Sequence, residues 1–194
     1  MRVLVACEFS GVVRDAFRKR GHDAVSCDLL PSERSGPHIQ DDVLNHLEGW
    51  DLIIAHPPCT HLSKAGAAHW KRKPAHLQVE AIAFVLKLMR APAQRIAVEN
   101  PVGKLNTAVR KPDQIIHPYQ FGEPWMKETC LWLKGLPLLL ATAMIEPKGN
   151  WVRPGNIRNR RFNRQPEGAK CDVKERSRTF QGIADAMAEQ WGSR

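Results

Sequence analysis

The chain has 194 residues, 43% hydrophobic and 25% charged, a balance that can bury one substantial core. A formal net charge of +9 favours a polyanionic partner, and no apolar run approaches the roughly 20 residues of a membrane span. Five cysteines (Cys7, Cys27, Cys59, Cys130, Cys171), odd in number and without a CxxC pair, argue against a disulfide framework or a metal site and for reduced thiols in a cytoplasmic setting.

Residues 2–7 (RVLVAC) form a short β-branched apolar run, read as a buried first strand rather than a signal peptide. After EFSG, the spacing of Val12, Val13, Ala16 and Phe17 predicts a helix that stops at Gly21. DAVSCDLL (23–30) predicts a second strand ending near Asp28, and WDLIIAH (50–56) a third, apolar enough to be buried on both faces. A helical stretch over 74–91 leads to a strand at 95–101 (RIAVENP), and 128–140 contains at least one more, which Pro137 is expected to end. Residues 150–178 hold nine Lys/Arg against three Asp/Glu, and helical spacing returns through Ile183, Met187 and Trp191. The alternation predicts an α/β fold: a mostly parallel sheet with helices on both faces. A single domain over 1–194 is expected, with a basic, loop-rich insertion at about 141–178 and a C-terminal helix at about 179–191.

Ligands of open α/β sheets sit beyond the carboxyl ends of the strands, and four features fall there. Glu8-Phe9-Ser10-Gly11 follows the first strand; Gly11 permits a close turn, and the next helix is expected to present free N–H groups to a ligand. The turn lacks GxGxxG, which disfavours a nicotinamide dinucleotide. Asp28 stands where an acid accepts hydrogen bonds from ribose hydroxyls; Asp41 and Asp42 could meet an adenine amino group or simply cap a helix. Pro57 and Pro58 stiffen the loop before Cys59, a mounting suited to a nucleophile whose pKa nearby cations or a helix start would lower. Glu99-Asn100 closes the fourth strand; burial there would raise the Glu99 pKa for proton donation to a ring nitrogen, and Asn100 could brace the loop.

Taken in order, the glycine turn, the acid, Pro-Cys and Glu-Asn resemble the motifs of DNA cytosine-5 methyltransferases, and the chain looks like a compact, phage-type member of that family. CEFSGVVRDAFRKRGHDAVSCDLL is similar to the first two motifs, WDLIIAHPPCTHLS to the Pro-Cys motif and RIAVENP to the Glu-Asn motif. FGEPWMKETCLWL is similar to a degenerate next motif, and RTFQGIADAMAEQW to the closing helix. The resemblance implies a Rossmann-like methyltransferase fold holding S-adenosylmethionine through Glu8, Phe9, Ser10, Gly11, Asp28, Asp42 and Pro57. It implies that Cys59 adds to C6 of a cytosine while Glu99 engages N3 and the amino group, with Asn100 and Lys127 in the same site and Lys127 directed at the pyrimidine O2. The chain departs from the family pattern at Pro101, which replaces a valine, at the unclear arginine pair near Lys127, and in having no room for a long target-recognition domain. Its basic stretch, with Arg158, Arg160, Arg161 and Arg164, is expected to contact DNA phosphates, with Trp151 and Phe162 available for stacking. The alternatives are a C5-modifying enzyme that acts on a free pyrimidine nucleotide or uses a modified cofactor, and a catalytically inactive DNA-binding relative; a partner protein could supply target recognition.

Overall fold

The computed structural model describes residues 1–64, 74–151 and 176–193. In chain order the elements are β1 (Arg2–Ala6), α1 (Val12–Lys19), β2 (Asp23–Asp28), β3 (His38–Gln40), β4 (Leu52–Ala55), α2 (Ala75–Met89), β5 (Arg95–Pro101), α3 (Leu105–Ala108), β6 (Gln114–Ile116), β7 (Trp125–Met126), β8 (Thr129–Lys134), β9 (Gly149–Asn150) and α4 (Gln181–Gly192). Seven strands form one sheet in the order β3-β2-β1-β4-β5-β8-β6; β7 and β9 pair separately. The pairings from β3 through β5 are parallel, and β8 runs antiparallel to both β5 and β6.

The two-residue period of a strand divides the apolar side chains between two cores. Val3, Val5, Leu52, Ile54 and Ala97 point to the face covered by α1 and α4, where Phe17, Met187 and Trp191 are buried. Leu4, Ala6, Ile53, Ala55, Ile96 and Val98 point to the opposite face, beneath Val85 and Leu88 of α2. Helices on both faces explain why β1 and β4 are continuous apolar runs rather than alternating ones.

The major strands and helices lie where the sequence pattern predicts them. Two boundaries differ in cause or extent. β8 is ended by Gly135, whose φ of 62° turns the chain before Pro137 is reached. The segment read as a loop-rich insertion contributes β9, paired in parallel with β7. The remaining sheet members β3 and β6 have three residues each, too few to show a readable period.

Candidate active site at the carboxyl edge of the sheet

Sheet register assembles the site. Ala6 pairs with Cys27 and with Ala55, and Ala55 pairs with Val98. The next residue on each strand therefore forms one row across the edge: Cys7, Asp28, His56 and Glu99. Between β1 and β4 the strand order reverses, the place where such sheets leave a crevice.

The turn after β1 is closed upon itself. The buried Glu8 carboxylate accepts the backbone N–H groups of Val13 (2.7 Å) and Arg14 (3.2 Å) and the Ser10 hydroxyl (3.2 Å). Ser10 Oγ also receives the Val12 N–H at 3.4 Å. The first-turn N–H groups of α1 are thus satisfied within the chain, and Glu8 and Ser10 are committed to the helix. This corrects the expectation that these groups face a ligand. The Phe9 carbonyl accepts the Glu33 N–H, and Gly11, at φ 72°, leaves space that a Cβ would fill within 2.6 Å of the Arg14 guanidinium. Arg14, fully buried, pairs with Asp15 at 2.8 Å and donates to Ser26, Ser32 and the carbonyls of Arg34 and Ser35. It fastens the β2–β3 connection to α1, a role no sequence pattern announced.

At the end of β2, Asp28 Oδ1 accepts the Leu30 N–H (2.9 Å), and Leu29 and Leu30 beside it are exposed, Leu29 to 72%. Asp42 caps the short turn Val43–Asn45 by accepting the Leu44 N–H at 3.0 Å, the capping role left open by the sequence. Cys7 takes a left-handed backbone, φ 58°, rare for a non-glycine residue. Burial and the nearby Asp28, Cys27 and Asp42 raise its pKa, so it stays a neutral thiol.

The Cys59 loop and the end of β5 are built as one unit. Asn100, buried, donates from Nδ2 to the Pro57 carbonyl at 2.8 Å, bracing the loop as the sequence suggested. Pro57 is itself buried and its carbonyl accepts from Asn100, so it stiffens the loop. The Cys59 carbonyl accepts from Leu62 and Ser63, forming a single helical turn. Lys64 N–H donates to Val102 and Lys104 N–H to the Leu62 carbonyl, so this turn lies against the segment that follows Glu99. Gly103 permits the approach: a Cβ there would collide with the Leu62 carbonyl.

The electrostatics oppose two expectations. Burial, then the charge of Glu99, raise the Cys59 pKa; Lys127 and Arg176 pull it down only in part. One isolated helical turn carries little dipole, and the negative carboxylate is closest in effect. Burial would likewise raise the Glu99 carboxyl. The hydrogen bond from His56 Nδ1 to Oε2 (3.1 Å), Lys127 and the His56 charge outweigh it and hold Glu99 below its ordinary value. Glu99 is therefore an ionised acceptor, not the raised-pKa acid the sequence suggested. Its side chain is 15% exposed and that of His56 is 7% exposed. His56 stands within the Pro-Cys stretch and Arg176 within the basic stretch, yet neither carries a site expectation from the sequence; the two-residue period of β4 and β5 is the signal that pairs His56 with Glu99.

Lys127 Nζ donates to the Arg176 carbonyl at 3.1 Å and lies 5.8 Å from the Phe180 ring centroid. Trp151 packs between Trp125 (5.7 Å) and Phe180 (4.9 Å) instead of standing free. The Arg158, Arg160, Arg161, Arg164 and Phe162 positions lie outside the described residues. Among the described residues no group of three or more His, Cys, Asp or Glu side chains could hold a metal ion, and no helix is long and apolar enough to cross a membrane.

No protein-family model matches the chain, and no curated protein matches it. Among solved structures it is similar to a protein assigned as a DNA modification methyltransferase encoded within a prophage of E. coli, with a TM-score of 0.50 and 12% identity. The match covers 75% of this chain and 52% of that one, so the chain spans about half the length of that structure. At this identity the likeness is one of fold.

Proposed function

We propose that the chain is an S-adenosylmethionine-dependent DNA cytosine-5 methyltransferase of reduced size, built as one Rossmann-like domain. The observation that carries the reading is the mounting of Cys59: a braced loop sets it under the electrostatic influence of an ionised Glu99, Lys127 and Arg176 at the carboxyl edge. A structural cysteine would need none of this. The strand order supports the fold assignment, since removing the antiparallel β8 leaves the doubly wound order 3-2-1-4-5-6.

The residues along β1, β2 and the segment after β3 fit the proposed cofactor. Asp28 and Asp42 each spend one carboxylate oxygen on a neighbouring N–H. The other oxygen can accept from a hydroxyl or amino group, and the exposed Leu29 and Leu30 offer an apolar face to a purine ring. Bound there, S-adenosylmethionine supplies the methyl group that the pyrimidine C5 accepts. Gly11 contributes close backbone approach rather than hydrogen bonds, because Glu8 already occupies the helix N–H groups.

The chain's own residues account for the rest. Glu99 accepts a hydrogen bond from the exocyclic amino group of cytosine. That contact disperses the negative charge opposing Cys59 ionisation, so the Cys59 thiol releases its proton to solvent as the base arrives and the thiolate forms. The Cys59 sulfur bonds to C6, and the electron pair of the C5–C6 double bond moves to C5. Loss of the C5 proton and cleavage of the sulfur–C6 bond then restore the double bond and the free thiol. Lys127 offsets charge accumulating on the ring. Within a duplex the base must leave the stack, at a cost of a few kcal/mol.

DNA containing 5-fluorocytosine is the test, because fluorine at C5 blocks the final proton loss and leaves protein and base joined. With S-adenosylmethionine present, the wild-type chain is expected to form a stable adduct at Cys59, and Cys59→Ser none, at an unchanged unfolding temperature. A dCMP control separates DNA from nucleotide as substrate. Absence of any adduct with the wild-type chain overturns the reading.

A further inference from the structure

Residues 176–180, which lead into α4, touch two parts of the carboxyl edge. On the nucleophile side, the Arg176 carbonyl accepts from Lys127 Nζ at 3.1 Å, and the Phe180 ring lies 5.8 Å from the same ammonium. A lysine ammonium on its flexible stem has no fixed place of its own. The hydrogen bond and the ring contact both come from residues 176–180, so this segment decides where the Lys127 charge stands. On the other side, Arg178 Nη2 lies 2.8 Å from Glu33 Oε2 and 2.9 Å from Oε1. Glu33 is a firm anchor. Its N–H donates to the Phe9 carbonyl at 2.9 Å, and the buried Arg14 fastens its neighbours Ser32, Arg34 and Ser35. Glu33 also belongs to the connection that opens with Asp28, Leu29 and Leu30, to which the methyl donor is assigned above.

We propose that Arg178 is a positioning residue: through Glu33 it fixes residues 176–180 to the scaffold turn, and through that segment it keeps the Lys127 and Arg176 charges beside Cys59. Its part in the reaction rests on the reading of Cys59 as the nucleophile. The charges that act on the thiol are those of Glu99, Lys127 and Arg176, and Arg178 works through the last two. An ion pair whose side chains are 35% and 25% exposed contributes little to stability, so its effect lies in placement. Placement and direct charge predict opposite signs at Glu33. If the pair acted on the thiol by its own charges, removing the Glu33 carboxylate would favour the thiolate and speed its alkylation. Acting by placement, loss of either partner lets Lys127 drift from Cys59 and slows alkylation.

The experiment follows alkylation of Cys59 by iodoacetamide in the free chain at neutral pH, read at the Cys59 peptide by mass spectrometry. Arg178→Met and Glu33→Gln are each expected to slow it about two- to threefold. The exchanged pair, Glu33→Arg together with Arg178→Glu, is expected to restore most of the rate. With Lys127→Met already present, Arg178→Met should have a smaller effect, because its main route to the thiol is cut. A rate unchanged or raised in Glu33→Gln overturns the proposal, as does equal slowing by Arg178→Met with and without Lys127. A variant that merely loosens the fold exposes the thiol and raises the rate, so loss of folded protein does not imitate the expected result. These rates involve no DNA and decide the placement whether or not the wild-type chain forms an adduct with 5-fluorocytosine DNA. Where that adduct forms, Arg178→Met and Glu33→Gln should slow its formation by a similar factor; rates equal to wild type overturn the claim that this placement serves the reaction.

Discussion

Two turns at the same edge of the sheet are finished in opposite ways. After β1, the charged and polar groups meet inside the chain: Glu8 caps α1, Ser10 bridges to Glu8, and Arg14 ties down the loop beyond β2. After β4 and β5, among the described residues, His56 Nε2 and Asn100 Oδ1 are buried without partners, and the Cys59 thiol lies under an opposing carboxylate charge. Buried polar groups left unpaired cost stability, so the first turn reads as scaffold, and the second is the one to which we assign the proposed site. Both arise at strand ends, and the hydrogen-bond accounting distinguishes them.

The comparison breaks most directly at Glu8. Glu8→Ala leaves two N–H groups of α1 and a hydroxyl unsatisfied at a buried position, an expected loss of about 2–3 kcal/mol. Thermal unfolding should show a drop of roughly 5–10 °C, with Glu8→Gln milder because its amide oxygen still accepts. A shift near zero would mean that the first turn is not scaffold. A smaller effect sharpens the second turn. In the free chain Cys59 should alkylate more slowly than an unstrained thiol at neutral pH, since its raised pKa lowers the thiolate fraction. Glu99→Gln should accelerate that alkylation about threefold and Lys127→Met slow it, followed at the Cys59 peptide by mass spectrometry.

The smallest effect is on acid stability. Glu99 has a folded-state value below its ordinary 4.5, so its contribution is complete above pH 4.5 and is lost as pH falls from there toward the folded value. The fall in unfolding temperature over that range should be shallower in Glu99→Gln than in the wild-type chain. Equal slopes would show that the His56 contact does not favour the charged carboxyl.

Much of this molecule was readable without coordinates, for local reasons. A buried parallel strand needs an unbroken apolar run, and RVLVAC, DLIIA and RIAV have that form; α1 has its stripe and Gly21 its stop. Cys59, Glu99 and Asn100 were legible because prolines and strand ends mark rigid mounts. The signs of the two pKa shifts were not. Each depends on which charge stands across the sheet edge, and Glu99 lies 40 residues from Cys59 and 43 from His56 in sequence.

By itself, then, the sequence determined the layered α/β pattern, the row of strand ends and the candidate nucleophile, because these follow from side-chain period, backbone stiffness and local turn chemistry. Only the tertiary structure decided that Glu8 serves α1 rather than a ligand, that Glu99 is ionised and held by His56, and that Arg14 and Arg176 matter. Hydrogen bonds and Coulomb forces act across space between strands brought together by folding, and spacing along the chain does not encode them.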